Sequence, residues 1–233
     1  MSGTLWGVGV GPGDPDLMTL RAHRLIAGAE VIAYPAPETG ESFARRIAAS
    51  TIPATAEEIA IRIPMRPDRF PAQEIYDQAA DAIGTHLAAG RDVVTLCEGD
   101  PFFYGSFMYL HARLAPRFPC VTVPGVNSVG AASAAAHLPL CARNDVLQIV
   151  PAPLEETALT ERLARPGAAV VIKLGRHLAK VRRVLATADR MEGAVYISHA
   201  SLPEERVLAL KDAPEAAPYF SLILIPGADP YAS

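Results

Sequence analysis

The sequence lacks most of the residues and runs that mark a metal-binding, disulfide-linked or membrane protein. Only three cysteines occur in 233 residues, Cys97, Cys120 and Cys141, and no two of them form a Cys-x-x-Cys pair. The six histidines show no metal-ligand spacing, so we expect no bound metal and no disulfide framework. No apolar run reaches about 18 residues and no signal peptide opens the chain, so a cytoplasmic protein without a membrane partner is expected.

The chain also has no large excess of charge of either sign. Lys and Arg number 21 and Asp and Glu 25, which gives a formal net charge of −4. This mild acidity argues against nucleic acid as a partner, because surfaces that bind nucleic acid are basic. Half of the residues are hydrophobic, which is enough to build one large core or two smaller ones.

Two common nucleotide-binding fingerprints are absent as well. A dinucleotide-binding loop needs Gly-x-Gly-x-x-Gly, but the pattern that starts at Gly7 ends at Pro12, and the one that starts at Gly9 ends at Asp14. The next predicted strand, residues 31–34, ends without the acidic residue that binds a ribose. No Gly-Lys-Ser/Thr run is present, so a P-loop is excluded too.

What the sequence does contain is a pair of strand-and-loop segments of the same kind. Residues 5–10 and 93–97 read as buried strands, and each is followed by a glycine-rich loop with an Asp before a Pro. Glycine lets a ligand approach the backbone, and proline stiffens the loop. If both strands belong to one parallel sheet, loops 11–15 and 98–106 meet at its carboxyl edge, which predicts a small-molecule site there.

Strand and helix patterns alternate along the first half of the chain. They predict strands at 4–10, 30–34, 58–63, 92–97 and 120–123, and helices at 17–28, 41–50, 71–89 and 104–115. The second half predicts helices at 128–137, 155–164 and 176–188, and strands at 146–150, 168–173, 194–198, 205–210 and 220–225. The predicted fold class is α/β, with a mostly parallel sheet in a first domain (1–120) and a mixed sheet with a hairpin-like finish in a second (121–233).

Taken in this order, the glycine-rich segments resemble the tetrapyrrole methyltransferases. The family pattern Gly-x-Gly-Pro-Gly-Asp-Pro-x-Leu-hydrophobic-Thr lies within residues 9–20. Further matches are Gly99-Asp100-Pro101 and the segments 123–128, 138–140 and 172–175. The resemblance covers nearly the whole chain, and it implies methyl transfer from S-adenosylmethionine to a tetrapyrrole.

Within this family, the chain is most similar to the branch that methylates precorrin-2 at C-20 in cobalamin biosynthesis. Glu98 stands where many relatives carry Gly, residues 104–106 replace a Phe-Gly-Arg run of another branch, and residues 63–66 are typical of the C-20 branch. The cobalt-factor II enzyme of the anaerobic pathway is a close alternative. Other proteins with the same fold methylate protein or RNA, which leaves a third substrate class open.

The resemblance implies two α/β domains with the S-adenosylmethionine cofactor bound in the cleft between them, and a homodimer. It also implies that the cofactor contacts residues on the loops that follow the strands: Pro12, Glu98, Gly99, Asp100, Phe103, Asn127, Ser128, Leu174 and Ala200. Asn127 stands where many relatives carry Thr.

Three side chains on loop 98–106 are candidates for the chemical step. Asp100, stiffened by Pro101, is expected near the sulfonium charge, and a turn-forming or capping role is its alternative. Glu98, Asp100 or Tyr104 can accept the proton that the methylated carbon loses. We favour solvent or the tetrapyrrole itself as that acceptor.

The many carboxylates of a tetrapyrrole substrate require cations in its pocket. Arg66 and Arg69 lie in a proline-rich stretch without clear periodicity, which predicts a lid that orders when the substrate binds. Tyr104 is the third residue that we expect to contact the substrate.

Overall fold

The computed structural model describes residues 1–63 and 73–227. The two predicted lid residues, Arg66 and Arg69, lie outside the described residues. The chain forms two compact units, the first of which is Met1–Asn127, while the second begins at Ser128. Within the described ranges, we find no helix of the length and apolar character needed to cross a membrane.

A five-stranded sheet forms the centre of the first unit. Its strands are β1 (Leu5–Gly9), β2 (Val31–Pro37), β3 (Glu57–Ile63), β4 (Val93–Cys97) and β5 (Cys120–Val123). They lie in the order β3-β2-β4-β1-β5 and pair in parallel, which confirms the predicted parallel sheet. Because β5 pairs with β1, the first unit continues to Asn127, past residue 120 where the sequence predicts the boundary.

Helices cover both faces of this sheet, which explains why β4 is buried along its whole length. The helices are α1 (Leu20–Ala27), α2 (Phe43–Ala48), α3 (Gln73–Ala88) and α4 (Phe107–Leu114), with a short 3-10 helix at Pro15–Leu17. Val93 packs among residues of α3 and α4 on one face. Its neighbour Val94 packs among residues of α1 and α2 on the other, as the alternation of side chains along a strand requires.

The second unit contains a mixed five-stranded sheet. Its strands are β6 (Leu147–Pro151), β7 (Ala168–Ile172), β8 (Val195–Ser198), β9 (Arg206–Ala209) and β10 (Ser221–Ile225). Its helices are α5 (Ser128–Ala135), α6 (Glu156–Leu163) and α7 (Leu178–Thr187). β6 and β7 are parallel, and the remaining pairs are antiparallel, so the predicted mixed sheet is confirmed.

The predicted hairpin-like finish is wrong in its pairing. The strands lie in the order β6-β7-β10-β8-β9, so β9 pairs with β8 while β10 lies between β7 and β8. Burial explains the difference. All five residues of β10 are buried, which suits a central strand, whereas β9 is largely exposed and suits an edge.

Candidate functional site

The loops that follow β1 and β4 meet at the carboxyl edge of the parallel sheet. The Gly99 N–H donates to the Gly11 carbonyl over 2.8 Å, and the Gly11 N–H donates to the Gly99 carbonyl over 3.4 Å. Just before this bridge, the Val10 N–H donates to the Cys97 carbonyl over 2.9 Å. The two glycine-rich loops therefore lie side by side, as the sequence predicts.

The loop after β5 joins them through direct contact of backbone with backbone. A Cβ atom on Gly125 would lie 2.0 Å from the Gly99 carbonyl oxygen, and one on Gly9 would lie 2.5 Å from the same oxygen. No side chain fits at either distance, so glycine is required at both positions. These glycines set the spacing between the three loops.

Asp100 ties two of these loops together with its carboxylate. Its Oδ1 accepts hydrogen bonds from the N–H groups of Phe102 and Phe103, over 2.9 and 3.0 Å. Its Oδ2 accepts from the N–H of Gly125 on the neighbouring loop, over 3.0 Å. Such bonds to an ionised acceptor are stronger than bonds between neutral groups. The carboxylate thus fixes its own turn and holds the β4 loop to the β5 loop.

Two further residues of the glycine-rich pattern are helix caps. The Asp14 side chain accepts from the Asp16 N–H over 2.9 Å and caps the short 3-10 helix. The Thr19 hydroxyl accepts from the Ala22 N–H over 3.1 Å and caps α1. Part of the family pattern therefore encodes the turn into α1, because caps satisfy N–H groups that a helix leaves open.

Glu98 is the carboxylate of this loop that makes no hydrogen bond or ion pair with the described residues. Its side chain reaches solvent. The protein around it nevertheless displaces enough water to raise the pKa of its carboxyl to about 7. Burial acts in this direction because it disfavours the charged form. A carboxyl that titrates near neutral pH is suited to accept a proton.

Tyr104 has a strained backbone and an exposed ring. Its φ is 58°, in the left-handed region that an aromatic residue rarely adopts. Strain of this kind is often retained where a loop has a functional role. Tyr104 is 45% exposed and Phe102 47%, and Met108 and Val126 are exposed as well. The first unit thus presents apolar side chains next to its glycine-rich loops.

The other predicted cofactor residues near these loops are Pro12, Phe103 and Asn127 in the first unit and Ser128 at the start of the second. Pro12 is half-buried in the loop after β1, and Phe103 is half-buried beside Tyr104, with their ring centroids 5.3 Å apart. Asn127 ends the loop after β5, and Ser128 begins α5. Among all predicted cofactor and substrate residues of the first unit, only the substrate residues Arg66 and Arg69 lie outside the described residues.

Leu174 and Ala200, the predicted cofactor residues of the second unit, follow β7 and β8. Leu174 is fully buried in the core of its own unit, and 0% of the whole residue is exposed. Ala200 is half-buried. Non-glycine residues with positive φ surround both: Lys173 at 58°, His199 at 54° and Ser201 at 67°. The strained turns are again consistent with functional loops.

Sequence reasoning missed some of these features. His199 and Ser201 were not singled out, because no residue pattern marks a positive φ outside glycine and, less often, asparagine and aspartate. Gly125 lies in the matching segment 123–128, and its position after a predicted strand is the same signal that marks Gly11 and Gly99.

Glycine-rich loops joined at the carboxyl edge of a parallel sheet place this chain among α/β proteins of the kind that bind small molecules at that edge. The chain belongs to the tetrapyrrole methylase family, since the family model described as Tetrapyrrole (Corrin/Porphyrin) Methylases matches residues 4–213. The resemblance inferred from the sequence is confirmed.

Two relatives show how this chain compares in length. The cobalamin biosynthesis protein CobIJ of Mycobacterium tuberculosis is 46% identical over 234 residues, which is 97% of this chain but 46% of that protein. The chain therefore spans about half the length of that relative. The precorrin-2 C(20)-methyltransferase of a Sinorhizobium species is 39% identical over 97% of this chain and 96% of its own length.

Solved structures share the fold. Uroporphyrin-III C-methyltransferase from Thermus thermophilus, solved as a complex with S-adenyl homocysteine, has a TM-score of 0.72 and 26% identity, over 96% of this chain and 92% of that one. The cobalt precorrin-4 methyltransferase CbiF has a TM-score of 0.76 and 23% identity, over 96% and 94%. The two-sheet α/β fold predicted from the sequence is confirmed.

Proposed function

We propose that this chain is an S-adenosylmethionine-dependent methyltransferase that acts on C-20 of precorrin-2 in cobalamin biosynthesis. The observation that carries the proposal is the 39% identity to the Sinorhizobium precorrin-2 C(20)-methyltransferase over nearly the full length of both chains. The cobalt-precorrin-2 C(20)-methyltransferase of Salmonella typhimurium is 29% identical over a similar span. This difference favours the metal-free substrate.

The chemistry of the described residues fits S-adenosylmethionine. The Glu98 carboxylate, which has no partner among the described residues, can accept hydrogen bonds from ligand hydroxyls or face a positive charge, and the half-buried Phe103 ring offers an apolar contact. The Thermus relative solved with S-adenyl homocysteine supports the same cofactor class. We assign the cofactor contacts to Pro12, Glu98, Gly99, Asp100, Phe103, Asn127, Ser128, Leu174 and Ala200.

The bound cofactor supplies a methyl group that its positive sulfur already activates. The protein's part is to hold that methyl and the acceptor carbon about 3 Å apart and to exclude water. The bridge between Gly11 and Gly99 and the Asp100 hydrogen bonds make the cofactor loops rigid enough for this task. The exposed Tyr104 ring provides an apolar surface for a flat macrocycle.

Although the sequence alone favours solvent or the tetrapyrrole as the proton acceptor, the environment of Glu98 makes this residue our candidate. The methylated carbon must lose a proton, and an acceptor works best when its pKa lies near the working pH. Burial raises the pKa of Glu98 to about 7, which satisfies that condition. The oxygens of Asp100, in contrast, already accept backbone hydrogen bonds.

Replacing Glu98 with glutamine should therefore remove a pH dependence. In the unchanged protein, kcat/KM should rise as the pH passes through about 7, because only the ionised carboxylate accepts a proton. In Glu98→Gln, kcat/KM should fall roughly 100-fold or more, and it should no longer rise with pH in this range. The measurement is kcat/KM for methyl transfer between pH 5.5 and 8.5, on the order of one pKa unit or more to each side of the midpoint.

Protein stability provides the control for this prediction. Because the folded-state pKa is raised from 4.5 to about 7, ionisation of Glu98 disfavours the folded state, and stability should decline as the pH rises through this interval. The Glu98→Gln protein should lack that decline. If both proteins show the same ascending limb in kcat/KM, the proton goes to solvent or to the tetrapyrrole.

Arg66 and Arg69 should bind carboxylates at the periphery of the tetrapyrrole. A charge-assisted hydrogen bond contributes roughly 1.5–3 kcal/mol when it is desolvated, so replacing either arginine with alanine should raise KM for precorrin-2 about tenfold or more. The dissociation constant for S-adenosylmethionine should stay nearly unchanged. Arg183→Ala is the matched control, since Arg183 forms an exposed ion pair with Glu156. A KM within about twofold of that of the unchanged protein would refute the proposal that these arginines belong to a substrate-binding lid.

Methyl-transfer assays with precorrin-2 and with its cobalt-containing counterpart test the proposed function directly. We expect a single methyl group at C-20 and faster transfer to the metal-free acceptor. Transfer to neither tetrapyrrole would refute the proposal and would favour a protein or RNA acceptor, as in other methyltransferases of the same fold.

The proposal also includes a cytoplasmic homodimer. Sedimentation of the purified protein measures the oligomeric state.

A further inference from the structure

A small cavity in the first unit lies between the sheet and helices α3 and α4. Its lining includes Cys97 and Ser106, the residues on either side of the loop 98–105 that carries Glu98 and Asp100. The space open to the centre of a water molecule is about 10 Å³. Most of the other lining residues are apolar, among them Ile61, Phe107 and Leu110.

Two buried hydroxyl groups line this cavity. Tyr76 reaches it from α3 and Thr95 from β4, and each residue is only 2% exposed. Neither hydroxyl has a hydrogen-bond partner among the residues that the structure describes. Buried hydroxyls in folded proteins nearly always have a partner, and ordered water is a common one.

Thr95 is the polar exception in an otherwise apolar buried strand, Val-Val-Thr-Leu-Cys. Burial raises the pKa of Tyr76, and hydrogen bonding with the Ser106 side chain, which lies too far from ideal geometry to satisfy the hydroxyl fully, offsets part of that rise. Three hydroxyl groups, from α3, β4 and the residue before α4, thus surround one small space. A single water needs about 10–15 Å³ of such space and two to four polar partners. The cavity lies at the lower end of that range, and three residues with hydroxyl groups line it.

We propose that this cavity binds one water molecule, which bridges the hydroxyls of Tyr76 and Thr95 and reaches that of Ser106. The water can donate to one hydroxyl and accept from another, so it gives the Tyr76 and Thr95 hydroxyls the partner that they lack among the described residues. It links α3 to β4 and to the start of α4. Loop 98–105 runs from β4 to the start of α4, so the water helps to anchor this loop whether or not the loop acts in methyl transfer.

Thermal unfolding of conservative variants tests the bridge, because the Tm should fall if the cavity holds the water and rise if the hydroxyls have no partner. Thr95→Val and Tyr76→Phe each remove one hydroxyl and keep the shape of the side chain. If the water is bound, each should lower the Tm by roughly 2–4 °C, because a partner of the water is lost. If the hydroxyls have no partner, each substitution should raise the Tm, since an unsatisfied polar group is removed.

The double variant and a control complete the test. Thr95→Val with Tyr76→Phe should lower the Tm by clearly less than the sum of the single effects, because both lose the same water. Thr95→Ser retains the hydroxyl and should keep the water. A crystal structure of the unchanged protein should show the water within hydrogen-bond distance of both hydroxyls. A dry cavity, a rise in Tm or strict additivity would overturn the proposal.

Discussion

Replacing Gly125 with alanine should lower methyl transfer by about 100-fold or more, since misplacing reacting groups by about 1 Å has an effect of that size. The new Cβ would lie 2.0 Å from the Gly99 carbonyl oxygen and 2.9 Å from the Gly9 Cα. Both are backbone atoms of central strands or their loops, so neither can rotate away. The β4 and β5 loops must separate, and the Gly125 N–H must then move away from Asp100.

The control for this prediction is Gly84→Ala in helix α3. A Cβ there would meet no atom closer than 3.7 Å, and alanine is favoured over glycine inside a helix by roughly 0.5–1 kcal/mol. This variant should keep full activity and become slightly more stable. Methyl transfer and the dissociation constant for S-adenosylmethionine are measured for both variants. Near-normal values for Gly125→Ala would mean that the loops tolerate a wider spacing than the structure indicates.

Local pattern was sufficient to predict most elements of this fold. β4 is a short apolar run bounded by Asp92 and a glycine-rich loop, and burial on both faces is the only environment that suits it. Helices α1 and α2 lie within the predicted spans 17–28 and 41–50, although their caps, Thr19 and Ser42, fall inside those spans. These decisions depend on neighbours within a few residues, which is why the sequence alone is sufficient to make them.

The missed features depend on contacts between distant residues. β10 inserts between β7 and β8, and no local pattern distinguishes this from a hairpin with β9. The bond between Asp100 and Gly125 joins residues 25 positions apart. Tyr104 at a positive φ has no residue signal at all. The sequence predicted which residues lie on the site loops, whereas the hydrogen bonds between those loops required the structure.

Asp100→Ala should lower cofactor affinity and methyl transfer far more than stability. The change frees the N–H groups of Phe102, Phe103 and Gly125, so loop 98–105 loses its fixed shape. We expect about a 100-fold loss of methyl transfer, as for other misplaced reacting groups. The free energy of unfolding should fall by only about 1–3 kcal/mol, because the freed groups lie at the sheet edge, where water can replace the carboxylate. Methyl-transfer kinetics and chemical denaturation measure the two effects.

Asp100→Asn distinguishes the hydrogen-bonding role of this side chain from an electrostatic one. The amide keeps one acceptor oxygen, so it can still bind the N–H groups of Phe102 and Phe103, but its NH₂ group would face the Gly125 N–H. Activity should therefore lie between those of the unchanged protein and the alanine variant. If Asp100 acts by fixing the loop, affinity should fall equally for S-adenosylmethionine and for S-adenosylhomocysteine, whose sulfur is neutral. We expect this equal loss by calorimetry, because both carboxylate oxygens already accept backbone hydrogen bonds. A loss confined to S-adenosylmethionine would instead show that the carboxylate acts on the sulfonium charge.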